Sequence, residues 1–391
     1  MIDFDFLLPT KIYFGKNKEE LVGDILNERS AHKVLVVIGR GSAKETGLLA
    51  KVVNSLKKNS IEYKLLEGVR ANPTKELADK GVELAKEYNP DYLLAVGGGS
   101  VIDTVKYIAT GYFYSGSSFD FNMHKVKPEK ALPIGVILTI SASGSEMSNS
   151  CVIQDDKTGD KKGYNSDLVR PAFAIENPEL TFTVNEKQTA YGITDIIMHT
   201  LERYLMPSSD NEPCDRFAEG LMKSVIEAGK KVMQNPHDYE SRAVLMLMSS
   251  FSHNGLTNVG KKAFLPVHQL EHALSGLHPE VAHGEGLAIF WPAWARYYLP
   301  YDVDKFDALA KNVFGSYNEN KLENAKNGIS LMEEFFISLR IPHRLSELKT
   351  SKEISIDALV DRFSEGGTRV VAHHAKPMDQ DVAREIFTNC F

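Results

Sequence analysis

Tyr92-Leu93-Leu94-Ala95-Val96-Gly97-Gly98-Gly99-Ser100-Val101-Ile102-Asp103 decides the reading of the N-terminal half. An unbroken apolar run leads into three glycines and then into a helix-compatible stretch. Strands buried on both faces of a parallel sheet are near-continuously apolar. Glycines let a backbone approach a ligand without Cβ obstruction. The open N–H groups and dipole of the following helix favour an anion such as a pyrophosphate. A plain strand-to-helix turn needs one glycine at most. Three in a row, with Ser100 behind them, favour a phosphate-binding turn, although the spacing is not GxGxxG.

Working outward, Val34–Ile38, Ile61–Leu66 and Leu132–Leu138 read as further strands. Lys44–Lys58, Thr74–Tyr88 and Val101–Ala109 read as helices between them. Such alternation predicts a parallel sheet with helices on its faces. Strand signals nearly vanish after Asn177-Pro178. Thr183-x-x-Glu186 carries a capping-box pattern, and helices are predicted over Ile193–Leu205, Phe217–Met233, Arg242–Leu256, Val267–Leu274, Leu322–Leu339 and Asp379–Phe387. The expected organisation is an α/β dinucleotide-binding domain over 1–180 and an all-helical metal-binding domain over 181–391.

Composition narrows the function classes. The chain has 391 residues, 43% of them hydrophobic, enough for a sizeable core. Its 45 basic and 52 acidic side chains sum to −7, against a broad nucleic-acid face. No apolar run reaches membrane-span length. The start, Met1-Ile2-Asp3-Phe4-Asp5, is acidic where a signal peptide is positive. Cys151, Cys214 and Cys390 lie far apart and form no disulfide framework, so a reducing cytoplasm is expected.

Two more loops follow predicted strands. Gly39-Arg40-Gly41-Ser42, with Lys44 beyond it, ends the first strand. Dinucleotide folds often hold the adenosine ribose with an acidic residue there. An arginine and small polar groups instead suit a 2′-phosphate, as NADP(H) carries, or form a solvated basic turn. Thr139-Ile140-Ser141-Ala142-Ser143-Gly144-Ser145-Glu146 offers hydroxyl donors, without the GxSxG of a nucleophile elbow.

The helical half holds the metal chemistry. Asp195 and His199, at i and i+4, share a helix face. His268 and His272 repeat that spacing, and His278 and His283 follow. Four histidines in sixteen residues are hard to ascribe to packing. One carboxylate with several imidazoles and no thiolate suits iron(II) or zinc with an open position. Spacing leaves open which three histidines bind. His268 with His272 is a natural local chelate, and His278 competes with His283.

Together these segments resemble the iron-containing alcohol dehydrogenase family, in particular its NADP(H)-dependent butanol dehydrogenase and aldehyde reductase branch. The carriers are Gly97-Gly98-Gly99-Ser100-x-x-Asp103, Thr139–Glu146, Thr158-Gly159-Asp160-Lys161, Asp195-x-x-x-His199 and His268-x-x-Glu271-His272 running to His283-Gly284-x-Gly286-Leu287. The resemblance implies a Rossmann-like α/β domain followed by an all-α domain, the dehydroquinate synthase-like architecture. It implies Asp195, His199, His268 and His283 as ligands of Fe2+ (or Zn2+), with His272 beside the substrate. It implies cofactor contacts from Gly39, Arg40, Gly41, Ser42, Asn72, Gly97, Gly98, Gly99, Ser100, Asp103, Thr139 and Ser143, with Lys161 near the nicotinamide. The resemblance further implies a homodimer, with the strand Lys11–Phe14 as the contact. Ser141 and Ser143 stand where the family commonly has proline and threonine.

The expected reaction is hydride transfer between NADP(H) and a primary alcohol or aldehyde, in the cleft where the two halves meet. A zinc-dependent polyol dehydrogenase or a lyase on the same architecture is the runner-up. It ranks lower because Lys261 and Lys262 are the only cations near the histidine cluster. A metal-dependent hydrolase leaves the glycine turns without a role. His373-His374 reads by default as a solvated tail, with a contribution to the cleft as the other reading.

Overall fold

The computed structural model describes residues 2–206, 211–262 and 264–391. Among these residues eight strands form: β1 (Lys11–Phe14), β2 (Lys33–Gly39), β3 (Glu62–Val69), β4 (Tyr92–Gly97), β5 (Ile134–Leu138), β6 (Ser150–Asp155), β7 (Asp160–Asn165) and β8 (Phe173–Glu176). Six of them make one sheet in the order β1-β8-β5-β4-β2-β3, and every pair in it is parallel. β6 and β7 form a separate antiparallel hairpin. The chain leaves β2 toward β3 on one side and leaves β4 toward β5 on the other. The carboxyl ends of β2 and β4 therefore flank a topological switch point, where open α/β sheets bind ligands. Ile38 is in register with Val96, and Val96 with Ile137, so the three predicted loops leave the same sheet edge.

The apolar runs account for the sheet. Val34, Val36, Leu94 and Val96 are buried in a common core. Leu48, Val52 and Leu56 of the helix Leu48–Lys58 project into it at successive i+4 steps. This helix is shorter than the predicted Lys44–Lys58. Gly47 takes a φ of 77°, which breaks the stretch into Ser42–Glu45 and Leu48–Lys58. Thr74 caps Lys75–Tyr88 by accepting from the Leu77 amide.

From residue 185 onward the regular elements among the described residues are helices, apart from one isolated bridge between Val371 and Met378. Asn185, rather than Thr183, caps the first of them, accepting from the Gln188 amide. That helix, Glu186–Leu205, is buried on nearly all sides from Thr189 on, as a helix at the centre of a bundle must be. The predicted Arg242–Leu256 helix runs instead over Tyr239–Ser252, and Gly255 turns the chain with a φ of 103°. The periodicity reading missed the helices His283–Tyr298, Val303–Phe314 and Ile356–Ser364.

The chain divides into two compact units. One is Leu7–Val184 with Ser249–Asn254; the other is residues 2–6, Asn185–Met248 and Gly255–Phe391. Ser249–Asn254 joins the α/β unit because its side chains satisfy buried groups there. The Ser250 hydroxyl lies 2.7 Å from Glu146 Oε1 and 2.7 Å from Glu176 Oε1. A hydroxyl has one proton, so it donates to one carboxyl and accepts from the other, which must itself be protonated. Burial, with Glu146 adding to it, pushes the Glu176 carboxyl up to about 8. The folded chain thus keeps a proton that the unfolded chain loses near pH 4.5. The resulting stability is full at low pH and fades as pH rises toward 8. Glu176→Gln should match the wild type in Tm at pH 5 and exceed it by roughly 5 °C at pH 8. Equal Tm differences at both values, by differential scanning fluorimetry, would contradict this protonation.

Candidate metal centre and nucleotide turn

The buried helix Glu186–Leu205 carries Asp195 and His199 one turn apart, and Asp195 Oδ1 lies 3.2 Å from His199 Nδ1. Two further helices complete the cluster. His268, on Pro266–Leu277, places Nε2 3.7 Å from the same oxygen. His283, the first residue of His283–Tyr298, places Nε2 at 3.7 Å from it as well. Tetrahedral ligands about 2.1 Å from an ion stand ~3.4 Å apart, within this spread of distances. Asp195 Oδ1 and His268 Nε2 are buried and have no hydrogen-bond partner among the described residues. Buried polar atoms left without partners in this way fit a cation that binds between them.

Two carboxylates orient the rings. Glu202, fully buried, takes the Val267 amide on Oε2 at 2.7 Å and meets His268 Nδ1 with Oε1. Glu271, also fully buried, meets His283 Nδ1. A carboxylate on the far nitrogen fixes the tautomer and ring direction and raises ligand basicity. Burial opposes a charge on His268, but Glu202 and Asp195 outweigh it and push the imidazole up to about 9. The sequence reading did not single out Glu202. Its signal was present: Asp195, His199 and Glu202 follow i, i+4, i+7 on one stripe of the helix.

His283 reaches the cluster because its helix packs closely. A Cβ on Gly284 would lie 2.4 Å from the Tyr191 carbonyl oxygen, and one on Gly286 would lie 2.8 Å from Glu271 Cγ. His272 lies beside His283, with ring centroids 5.8 Å apart, outside the trio that faces Asp195. His278 ends Pro266–Leu277, with Nδ1 3.6 Å from Glu280. The local chelate of His268 with His272 is thus not the arrangement that forms around Asp195.

In the α/β unit, Gly98 occupies the cap position of the helix Gly99–Gly111 and has no side chain to bond its first amides. Each glycine of the turn also has a neighbour in the protein. A Cβ on Gly97 would meet Val101 at 2.5 Å, one on Gly98 would meet Ile140 at 2.2 Å, and one on Gly99 would meet Ser143 Oγ at 2.3 Å. The glycine run therefore admits the Thr139–Glu146 loop as well as any ligand. Ser141 Oγ in that loop is buried without a hydrogen-bond partner among the described residues, and the Thr139 amide donates to the Gly97 carbonyl.

Lys106 and Asp103 hold this loop. Lys106, fully buried, donates to Ser145 Oγ at 2.9 Å and to the carbonyls of Ser148 and Ser150 at 3.0 and 2.8 Å. Burial pushes its ammonium down to about 8. Asp103 accepts from Ser145 Oγ at 2.6 Å and from the Val152 amide at 3.0 Å. Its carboxyl is raised by burial, against Lys106. A lysine inside the apolar Val101–Ala109 stretch was the overlooked signal. Lys161 lies on β7, opposite Gln154 of β6.

At the end of β2, Gly39 has room: a Cβ there would find Val69 O at an ordinary 3.5 Å. Arg40 and Ser42 are exposed, and Lys44 is paired with Glu67 at 2.6 Å. Asn72 takes a left-handed φ of 55° after β3.

Comparison with known proteins matches this architecture. The family model for iron-containing alcohol dehydrogenase matches residues 9–178, and that for the C-terminal part of the Fe-containing alcohol dehydrogenase family matches 189–389. The chain belongs to the iron-containing alcohol dehydrogenase family and is a metal-dependent alcohol/aldehyde oxidoreductase that uses NAD(P). It is 38% identical to NADH-dependent butanol dehydrogenase A of Clostridium acetobutylicum, over 100% of both chains. It is 33% identical to the NADPH-dependent aldehyde reductase YqhD of Escherichia coli, over 99% of each. The crystal structure of NADH-dependent butanol dehydrogenase A from Thermotoga maritima superposes with a TM-score of 0.94 at 34% identity, over 100% of this chain and 99% of that one.

Proposed function

We propose that this enzyme interconverts a short primary alcohol and its aldehyde with NADP(H), at a divalent ion, Fe2+ before Zn2+, held by Asp195, His199, His268 and His283. The observation that carries this reading is one buried carboxylate oxygen faced by three imidazole nitrogens at 3.2 to 3.7 Å. NADP(H) supplies the hydride donor or acceptor, and the ion supplies Lewis acidity to the substrate oxygen. The chain does the rest. Gly97–Ser100 and the first amides of Gly99–Gly111 bind the pyrophosphate. Asn72, Asp103, Thr139, Ser143 and Lys161 line the cofactor, Lys161 toward the nicotinamide. His272, beside His283, moves the hydroxyl proton.

Arg40 and Ser42, next to the open position at Gly39, are assigned to the 2′-phosphate. Support is the room at Gly39 and the exposed guanidinium. Against it stands the Lys44–Glu67 pair, which spends one cation of the turn. The test is kcat/KM for butanal reduction on iron-loaded enzyme with each coenzyme. NADPH should be favoured at least about tenfold, and Arg40→Ala should narrow the ratio by about the same factor, as loss of one charge-assisted phosphate contact does. A preference for NADH overturns the assignment of Arg40. Failure to reduce any primary aldehyde with both NADPH and NADH overturns the activity.

We further infer a cytoplasmic homodimer. Among the described residues no helix is long and apolar enough to cross a membrane, and the three cysteines are free and buried. β1 occupies a sheet edge, and the exposed Ile2, Phe4, Phe6, Leu7 and Leu8 precede it. Exposed apolar side chains beside an open sheet edge suit an interface. Light scattering should give about twice 43.5 kDa; a monomer refutes the pairing.

A further inference from the structure

We propose that Asp302, His373 and His374 form a second metal site, for a divalent ion of the zinc class, in the helical unit. His373 is not part of a solvated tail: its side chain is 1% exposed. One donor atom from each of the three residues lies within 4.8 Å of the others. His374 Nε2 stands 2.7 Å from Asp302 Oδ1, and His373 Nε2 stands 3.8 Å from Asp302 Oδ2. The two rings are 4.2 Å apart at 35°. These separations bracket the ~3.4 Å edge of a tetrahedral site, with water completing the coordination.

Two further observations point to a ligand. Asp302 sits at the N-terminus of Val303–Phe314, yet its carboxylate caps nothing there, so its oxygens are left to the histidines. His373 Nε2 is buried, turned toward that carboxylate, and without a hydrogen-bond partner among the described residues. Tyr298 stacks on the ring with centroids 3.9 Å apart and Trp294 meets it at 6.0 Å, which fixes its direction. Binding through Nε2 needs the proton on Nδ1. That gives up a 3.3 Å contact from the Ala375 amide, and Ala375 is exposed, so water takes over the amide.

An ion here joins positions 72 residues apart. It ties the Val371–Met378 turn to the start of Val303–Phe314, a clip that removes loop entropy from the unfolded chain. None of the three residues belongs to the Asp195 cluster, so the two sites lose metal separately.

Chelator-stripped full-length protein is dialysed to equilibrium against buffered ZnCl2, and bound zinc is measured by plasma mass spectrometry. Wild type should bind two equivalents per chain. His374→Ala and Asp302→Asn should each bind one, and His374→Ala combined with Asp195→Ala should bind none. Zinc should raise the Tm of Asp195→Ala but not that of the double variant. Because His374 is exposed, His374→Gln provides a second variant with an intact fold, checked by circular dichroism. One equivalent in wild type, or a second equivalent that survives both His374→Ala and Asp302→Asn, overturns the proposal.

Discussion

Asp195→Ala is expected to abolish metal binding at the Asp195 centre and to lower kcat/KM with butanal about a thousandfold or more, the equivalent of roughly 4 kcal/mol of barrier. Among the described residues, the carboxylate is the only anion that all three imidazole nitrogens face, at 3.2 to 3.7 Å. Without it, a dication must be held by three neutral rings, two of them backed by Glu202 and Glu271 from the far side. Those carboxylates meet the Nδ1 atoms of His268 and His283, whereas the Nε2 atoms face Asp195. NADPH binding, followed by nicotinamide fluorescence, should persist, because the glycine turn belongs to the α/β unit. Full turnover of this variant after chelation would remove the metal from the reaction.

Gly284→Ala should have the next largest effect, although residue 284 touches neither ion nor substrate. Its Cβ would stand 2.4 Å from the Tyr191 carbonyl and 2.7 Å from Tyr191 Cα. Both are backbone atoms of a buried helix and cannot rotate away. The start of His283–Tyr298 must then lift by about 1 Å, at the ~1–3 kcal/mol usual for overpacking. His283 is the adjacent residue, so it moves with that lift. A misplacement of about 1 Å costs on the order of 100-fold in rate. The expected result is a Tm several degrees lower, reduced metal content and kcat/KM down about 100-fold. Wild-type metal content together with wild-type turnover would show that the close packing at Gly284 does not position His283.

Some of this was legible in one dimension. Helical periodicity alone puts Asp195 with His199, and the apolar runs ending in glycine alone announce a parallel sheet. Both are local patterns, and local patterns survive without knowledge of the partner. Glu202 was legible in principle from the same stripe. Lys106 was a lone lysine in an apolar helix, and its three partners lie about 40 residues away in sequence. His373 looked like a polar tail residue because nothing nearby in the chain announces the aromatic floor of Tyr298 and Trp294.

The sequence by itself determined the class of architecture, the turns that end the strands and the pool of candidate ligands, since each depends on backbone preference and burial within a dozen residues. Only the tertiary structure decided which histidines face Asp195. His268 and His272 are equally near to each other on one helix, but a single face of that helix meets Glu186–Leu205. His283 arrives from a third helix, which Gly284 and Gly286 allow to pack close against Tyr191 and Glu271. Ligand geometry is a long-range property, fixed by how helices approach, and approach distances are written in packing rather than in spacing.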